Sequence, residues 1–293
     1  MRFEKRNRRI YPIRFSRVAA VAGIFAVVVL VLNVMSLFRE PSFRANRGPF
    51  AISQAKADAN DTVSTETIQS LEAMALTTPK VKPILQNPSQ YPAWLLESLA
   101  RNPELLDFAL DYPDKKGTSN NSIDLSDQYK AGQIPLLMQW DKNWGYVPYG
   151  NGCIALDGCG PTCLSMVAVG LTGNTALNPK AVAEFSEKNG YLDTKTNSTL
   201  WTLMSEGAQK LGLNSYELPL VENRMIQELS LGHPIICSLR PGDFTTVGHF
   251  IVVYHYQNGK FLVRDPNSRI RSEKAWSYKK LEPQIRNLWA FSA

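Results

Sequence analysis

Two cysteines lie four positions apart in the stretch DGCGPTCLSMVAVGLTG, residues 157–173, and their positions allow different chemistry. Cys159 lies between two glycines, whose lack of a side chain lets a substrate backbone approach, and Pro161 suits the first position of a helix. The Cys159 thiol would then lie at a helix N-terminus, which favours the nucleophilic thiolate. Cys163 falls one turn later among apolar residues and is interpreted as a small buried side chain. Cys159 is therefore the candidate nucleophile.

A nucleophilic cysteine needs a base, and the chain has three histidines, His233, His249 and His255. His233 precedes a proline at a predicted helix-to-strand corner and is interpreted as a surface residue. The other two belong to one predicted strand, VGHFIVVYHY, in which their even spacing places them on the same face but roughly 20 Å apart. Only one of them can therefore meet Cys159. His249 opens the strand at its loop end and is the predicted base.

The imidazole of a Cys–His pair also needs an acceptor that orients it, and Asp265 is the candidate. It ends the strand KFLVRD, which is predicted to pair with the histidine strand through a turn at Asn258-Gly259. Regular pairing sets Asp265 close to Val252, about three positions short of His249, so a bulge or a bend is required. Asn267 is the alternative acceptor.

Gln139 is a candidate donor to the oxyanion that forms when a carbonyl is attacked. It lies twenty residues before Cys159, in LLMQWDKNWG, and its side-chain amide carries two N–H groups. No metal or other cofactor is expected, because the cysteines lack C-x-x-C pairing and the histidines lack the spacing of metal ligands.

The elements that must position these residues come as helices first and strands later, which favours an α+β domain with an antiparallel sheet. Helices are predicted from just after Cys159 to Gly170 or Gly173, from Asn178-Pro179 to Asn189-Gly190, over TLWTLMSEGAQKLG to Gly212, and over ENRMIQELSLG to Gly232. The predicted strands are PIICSL, HFIVVYHY, KFLVRD and NLWAFS.

Charge and hydropathy single out the first 38 residues. Residues 1–17 carry seven basic side chains and one acid, whereas the other 276 residues hold 25 of each, so a nucleic-acid partner is not expected. Residues 18–38 are 21 uncharged residues, about the length that crosses a lipid bilayer. A cleaved signal peptide is the alternative, although the apolar run is longer than a typical signal core. We expect a single-pass anchor in the cell membrane with a cytoplasmic N-terminus and an extracellular C-terminal domain.

The rest of the chain divides into three predicted parts. Residues 39–90 form a polar stalk, partly helical around Thr65 to Ala75, and residues 91–129 form a helical extension and a loop. Residues 130–293 form the main domain. The leucine spacing and the prolines of the extension indicate two short helices packed on that domain, with contact to a separate partner as the alternative.

Four motifs in the main domain resemble those of a known family. They are Gln139-Trp140-Asp141 through Trp144-Gly145, then Gly158-Cys159-Gly160-Pro161-Thr162, then Gly248-His249-Phe250 and Asp265-Pro266, within residues 130 to 270. In this order they resemble the C-thirty-nine-like cysteine peptidases, relatives of the domains that trim double-glycine leader peptides inside bacteriocin exporters.

The resemblance implies a papain-like α+β fold and a role for each matching residue. Cys159 would be the nucleophile, His249 the general base and acid, Asp265 the orienting acceptor and Gln139 the oxyanion donor. The segment YPAWLLESLARNPELLDFALDYP also resembles the helical extension of exported versions from Gram-positive bacteria. The exporter peptidases are cytoplasmic and fused to a transporter, so cleavage of double-glycine leaders is not carried over.

Residues and resemblance together predict a membrane-anchored, extracytoplasmic cysteine peptidase that acts on peptide or protein substrates. Three alternatives remain: an amidase or endopeptidase of peptidoglycan peptides, an enzyme that transfers the acyl group to an amine, and a surface binding module without activity. The intact set of four residues argues against the last of these. A disulfide, for example between Cys153 and Cys237, is a further possibility outside the cell.

Overall fold

The computed structural model describes residues 63–293, apart from residues 119 and 121. The predicted tail of residues 1–17, the predicted anchor of residues 18–38 and the first part of the predicted stalk therefore lie outside the described residues. Within residues 63–293, no helix combines the length and the apolar character that crossing a membrane requires.

The central sheet is antiparallel, as the sequence predicts; in the described residues it has six strands, and two short ribbons accompany it. The order of strands in the sheet is β5-β10-β6-β7-β8-β9, and β1 pairs with β2 and β3 with β4. The strands are β1 Pro148–Tyr149, β2 Gly152–Cys153, β3 Leu192–Asp193, β4 Ser198–Thr199, β5 Asn214–Glu217, β6 Ile235–Leu239, β7 His249–Gln257, β8 Lys260–Arg264, β9 Ala275–Trp276 and β10 Ile285–Ser292.

Helices precede the sheet in the chain and also interrupt it, giving an α+β fold. They are α1 Thr65–Thr77, α2 Lys82–Gln86, α3 Ala93–Arg101, α4 Leu106–Lys115, α5 Ile154–Asp157, α6 Cys159–Thr172, α7 Pro179–Lys188, α8 Glu206–Lys210, α9 Glu222–Ser230, α10 Arg269–Ser272 and α11 Tyr278–Leu281. Short 3-10 turns lie at Pro79–Val81, Pro88–Gln90, Pro103–Leu105, Trp201–Leu203 and Glu282–Gln284.

Helix α6 is the central helix of the main domain. Every residue from Gly160 to Val169 is buried, as expected for a helix that is apolar on all sides. It ends at Gly173, whose φ of 71° is a left-handed conformation that glycine adopts without strain. The buried helix therefore has a defined start, and that start carries Cys159.

Both faces of the sheet are covered, and the alternating side chains of β7 contact a different cluster on each face. Phe250 packs with Met166 of α6 in one apolar cluster. Its neighbour Ile251 packs with Met225 of α9 in a second cluster on the other face. The sheet is thus held between α6 and α9, and the loop end of β7 lies at the edge of this core.

The β7–β8 hairpin turns at Asn258 and Gly259, as predicted, and both residues have the positive φ of a type I′ turn. A bulge interrupts the pairing between Val253 and His255. Val252 consequently pairs with Arg264, whereas regular pairing would have placed it near Asp265. The bulge brings Asp265 nearer to the start of β7.

Because of the same bulge, the prediction that His249 and His255 share a face is wrong. Val253 and Tyr256 are three residues apart, yet both pack in the cluster beneath α9. The alternation therefore shifts by one residue at the bulge. His255 is exposed beyond it, whereas His249 is buried before it.

The helical extension packs on the main domain through a cluster of its own. Leu71, Leu95 and Leu99 are fully buried in this cluster, which also contains Met138 and Tyr146 of the main domain. Packed structure therefore begins with α1, inside the segment predicted as a stalk of residues 39–90. This helix lies where the sequence predicts a partly helical stretch, around Thr65 to Ala75.

Candidate active site

Cys159 is the first residue of α6, and its side chain is half-buried. The neighbouring glycines are required by packing as well as by any approach of substrate. A Cβ added to Gly160 would lie 2.7 Å from Thr199 Cγ2, and one added to Gly158 would lie 2.6 Å from the Ile154 carbonyl oxygen. The helix start is therefore seated tightly against β4 and α5.

His249, Asp265 and Cys159 are brought together, as the sequence predicts. His249 Nε2 donates to Asp265 Oδ1 at 2.7 Å, and both side chains are buried. Cys159 lies close enough to His249 that its hydrogen bond and its charge both raise the pKa of the imidazole. The three residues form one continuous series from carboxylate to imidazole to thiol.

Asp265 carries a charge at full burial because every side of its carboxylate is satisfied. Besides His249, Oδ1 accepts from the Asn267 backbone N–H at 2.8 Å, and Oδ2 accepts from Arg271 Nε. Burial alone would raise the pKa of Asp265, but His249 and Arg271 together hold that pKa below its usual range. The Asp265 backbone N–H donates to Ser272 Oγ at 2.8 Å, which fixes the turn.

The carboxylate in turn favours the protonated form of His249. Burial alone would lower the pKa of His249, but the charge and hydrogen bond of Asp265, together with the hydrogen bond to Cys159, raise it to about 9. The imidazole is therefore held as an imidazolium at neutral pH, next to the sulfur.

The other three cysteines are buried thiols, and all four cysteines are free. Burial raises the pKa of Cys153 to about 12, and it raises the pKa of Cys163 and Cys237 as well. Cys163 thus occupies the buried position predicted for it. The disulfide considered between Cys153 and Cys237 is not formed.

Gln139 is buried beside the turn that leads to Cys159. Its Nε2 donates to the Ala155 carbonyl at 2.6 Å and to the Leu156 carbonyl at 3.2 Å, so both N–H groups are engaged. Its Oε1 is buried and has no hydrogen-bond partner within residues 63–293. Gln139 is therefore near the nucleophile, but its amide is directed at helix α5.

The side chains of the remaining candidates make other contacts. His233 Nδ1 bonds Glu228 at 3.0 Å, at the end of α9. The side-chain oxygen of Asn267, the alternative acceptor, accepts from Asn102 Nδ2 instead of facing His249. Within the described part of the chain, no group of three or more acidic, histidine or cysteine side chains is placed to bind a metal.

Sequence reasoning missed Arg271, which pairs directly with Asp265 and stacks at 6.0 Å from the Phe244 ring. A signal was present, because a buried carboxylate needs more than one donor and a basic segment, RIRSEK, follows it. Which of its two arginines turns inward depends on the four-residue helix α10, which the sequence did not predict.

The model of the Peptidase_C39 like family matches residues 132–290, more than half of the chain. The chain belongs to this family. No curated protein matches the chain.

Solved structures of C-thirty-nine-like peptidases are also similar to the chain. The peptidase domain of Streptococcus ComA, a bifunctional ABC transporter involved in quorum sensing, is 23% identical over 46% of this chain and 90% of its own, with a TM-score of 0.35. A C-thirty-nine-like peptidase from Bacillus anthracis is 15% identical over 55% of this chain and 96% of its own, with a TM-score of 0.33.

Proposed function

We propose that the chain is a cysteine peptidase that hydrolyses peptide bonds through Cys159, His249 and Asp265. The observation that carries the proposal is the buried series of contacts from Asp265 through His249 to Cys159 at a helix N-terminus. Membership of a peptidase family supports a peptide as substrate. The exposure of Cys159 supports it further, because the other three thiols are buried.

In the first half of the reaction, Cys159 sulfur attacks the carbonyl carbon of the substrate after His249 has taken the thiol proton. The C–N bond then breaks, and the imidazolium gives that proton to the leaving amine. In the second half, His249 takes a proton from water while the water oxygen attacks the thioester. The C–S bond breaks, the proton returns to sulfur, and the acid product leaves.

Each tetrahedral intermediate carries an oxyanion that needs donors. The backbone N–H of Cys159, at the unpaired start of α6, is one donor, and Gln139 Nε2 is the other. Gln139 must exchange one of its bonds to Ala155 or Leu156 to take this role. Such bonds are often completed only when substrate is present.

The peptidase domain lies outside the cytoplasmic membrane in this proposal, anchored by residues 18–38. The support is the sequence alone, since 21 uncharged residues follow a segment with seven basic side chains and one acid. This placement gives the enzyme access to exported or extracellular peptides.

The proposal is tested by incubating the full chain with a peptide library of varied sequence and identifying products by mass spectrometry. Wild type is expected to release new termini, whereas Cys159→Ala and wild type alkylated at Cys159 are both expected to release none. Cleavage at an unchanged rate by the Cys159→Ala chain would contradict the proposal. Products that carry an added amine in place of water would instead indicate acyl transfer.

A further inference from the structure

Glu104, in the helical extension, contacts the turn that holds Asp265. It lies in the 3-10 turn Pro103–Leu105, and its carboxylate reaches the start of α10 in the main domain. Glu104 Oε1 accepts from Ser268 Oγ at 2.5 Å, and Oε2 accepts from the Arg269 backbone N–H at 2.8 Å. A side chain from the extension thus supplies the acceptor that the first turn of α10 needs.

Asn102 makes a second connection two residues earlier. This buried side chain donates from Nδ2 to the Asn267 carbonyl at 2.7 Å, and its Oδ1 accepts from the Glu104 backbone N–H at 3.2 Å. Asn102 therefore also holds the backbone that carries Glu104, and the two side chains bind both ends of the segment 267–269.

Each connection continues to a different oxygen of Asp265. Ser268 Oγ, held by Glu104, accepts from the Arg271 backbone N–H at 3.1 Å, and Arg271 Nε donates to Asp265 Oδ2. Asn267, held by Asn102, donates its backbone N–H to Asp265 Oδ1 at 2.8 Å. The extension therefore reaches both sides of the carboxylate, through Ser268 and Arg271 on one path and through Asn267 alone on the other.

We infer that Asn102 and Glu104 are positioning residues for the proposed catalytic triad: they hold the turn after β8 so that Asp265 faces His249. This inference rests on the proposed cysteine-peptidase function. The helical extension then belongs to the catalytic unit, and its removal or displacement disorients the carboxylate.

The test measures the charge on His249 through the alkylation of Cys159. Iodoacetate is an anion and iodoacetamide is neutral, and both react with the thiolate. The rate with iodoacetate divided by the rate with iodoacetamide therefore depends on the positive charge of the imidazolium beside the sulfur. The charged groups that face His249 are Asp265, with Arg271 behind it, and Cys159. In the full wild-type chain the ratio is expected to fall as pH rises through about 9.

Glu104→Ala is expected to move the midpoint of that fall toward the ordinary histidine value by about half a pH unit or more, because a misaligned carboxylate favours the imidazolium less. Glu104→Gln keeps one acceptor oxygen, so its midpoint is expected to lie between the other two. The matched control is Glu97→Ala, which removes an exposed carboxylate of the same extension that pairs only with Arg101 at 3.9 Å.

The outcomes separate the two levels of the account. A midpoint in both Glu104 variants equal to that of wild type, with circular dichroism unchanged, overturns the positioning role and leaves the proposed function standing. A wild-type ratio that does not fall with pH shows that no imidazolium lies beside Cys159, and overturns both. If Glu104→Ala does not fold, Glu104→Gln carries the test.

Discussion

At Asp265 a charge is buried that would be unfavourable without partners. Three donors satisfy it, from His249, Arg271 and the Asn267 backbone. A buried ion pair of this kind is weak evidence for stability, because desolvation offsets much of the attraction. Its retention at the end of a Cys–His series is better explained by function, since it sets the protonation and the orientation of the imidazole.

The first prediction concerns the two histidines of β7. His249→Ala is expected to lower the rate of peptide cleavage by roughly 10²- to 10⁴-fold, the usual contribution of a general acid and base. His255→Ala, a change in an exposed side chain of the same strand, is expected to leave the rate unchanged. The measurement is the initial rate of product release for the three chains. Equal losses in both variants would indicate a general effect on the strand.

The second prediction concerns pH and stability. The pKa of His249 is raised from 6.5 to about 9 in the folded chain, so its contribution is fully present below about pH 6.5. That contribution is lost as pH rises through about 9, because the folded state binds a proton that the unfolded state has released.

In chains that carry Cys159→Ala, so that the thiol proton does not enter the balance, the free energy of unfolding is therefore expected to fall across this window more steeply with His249 than with His249→Gln. Urea titrations at a series of pH values measure both slopes. Parallel slopes in the two chains would show that His249 carries no extra proton in the folded state.

The residues of the site could be predicted in part because thiols and imidazoles occur in few places in this chain. Three histidines and four cysteines leave a short list, and the hairpin brings Asp265 toward β7. Arg271 and Glu104 could not be found in the same way, because their contacts depend on how a short turn folds. The chain also has 32 basic side chains, so the type alone selects none of them.

At the scale of elements, the strongest apolar patterns predicted helices α6, α7 and α9 and the long strands. The need for a bulge or a bend could be predicted, because regular pairing leaves Asp265 too far from His249. The position of the bulge in β7 could not be predicted, because it depends on the packing of Val253 and Tyr256 on one face. Helix α1 was placed in a stalk because its exposed face is polar. Its buried face becomes evident only when Leu71 meets the other helices.

The third prediction concerns the helical extension as a folded element. Leu99→Ala, at a fully buried position of α3, is expected to lower the free energy of unfolding by about 2–5 kcal/mol, because it leaves a cavity. Leu76→Ala, at a position that is 85% exposed, is expected to change it by about 0.5 kcal/mol or less.

Denaturant unfolding of the full chain measures both values. If the extension did not pack on the main domain, both variants would instead change the free energy of unfolding by equal and small amounts. The shared cluster with Met138 and Tyr146 predicts the opposite, namely that loss of Leu99 is felt by the main domain.

At the scale of the whole molecule, charge is distributed unevenly along the chain. The first 17 residues account for the entire net charge of +6, and the uncharged residues 18–38 follow them. Together they favour a chain held at a membrane with its basic end in the cytoplasm. The extension and main domain would then form one unit outside.

The fourth prediction tests this placement. The full chain expressed in a bacterial cell is expected to stay with the membrane fraction after alkaline carbonate washing. It is also expected to be accessible to added protease in protoplasts, from which the cell wall has been removed. A chain that lacks residues 1–38 is the matched control and is expected in the soluble fraction. A soluble product of the full chain, with a new N-terminus after residue 38, would favour a cleaved signal peptide.

The central claim of the proposed function is that Cys159 is the nucleophile and that His249 activates it. Treating the full chain with limiting iodoacetamide near pH 6, and locating the label by peptide mass spectrometry, tests it most directly. The account predicts that Cys159 is labelled well before the buried Cys153, Cys163 and Cys237, and that His249→Ala slows this labelling. Four thiols that react alike, or a Cys159 whose labelling is the same with and without His249, would contradict it.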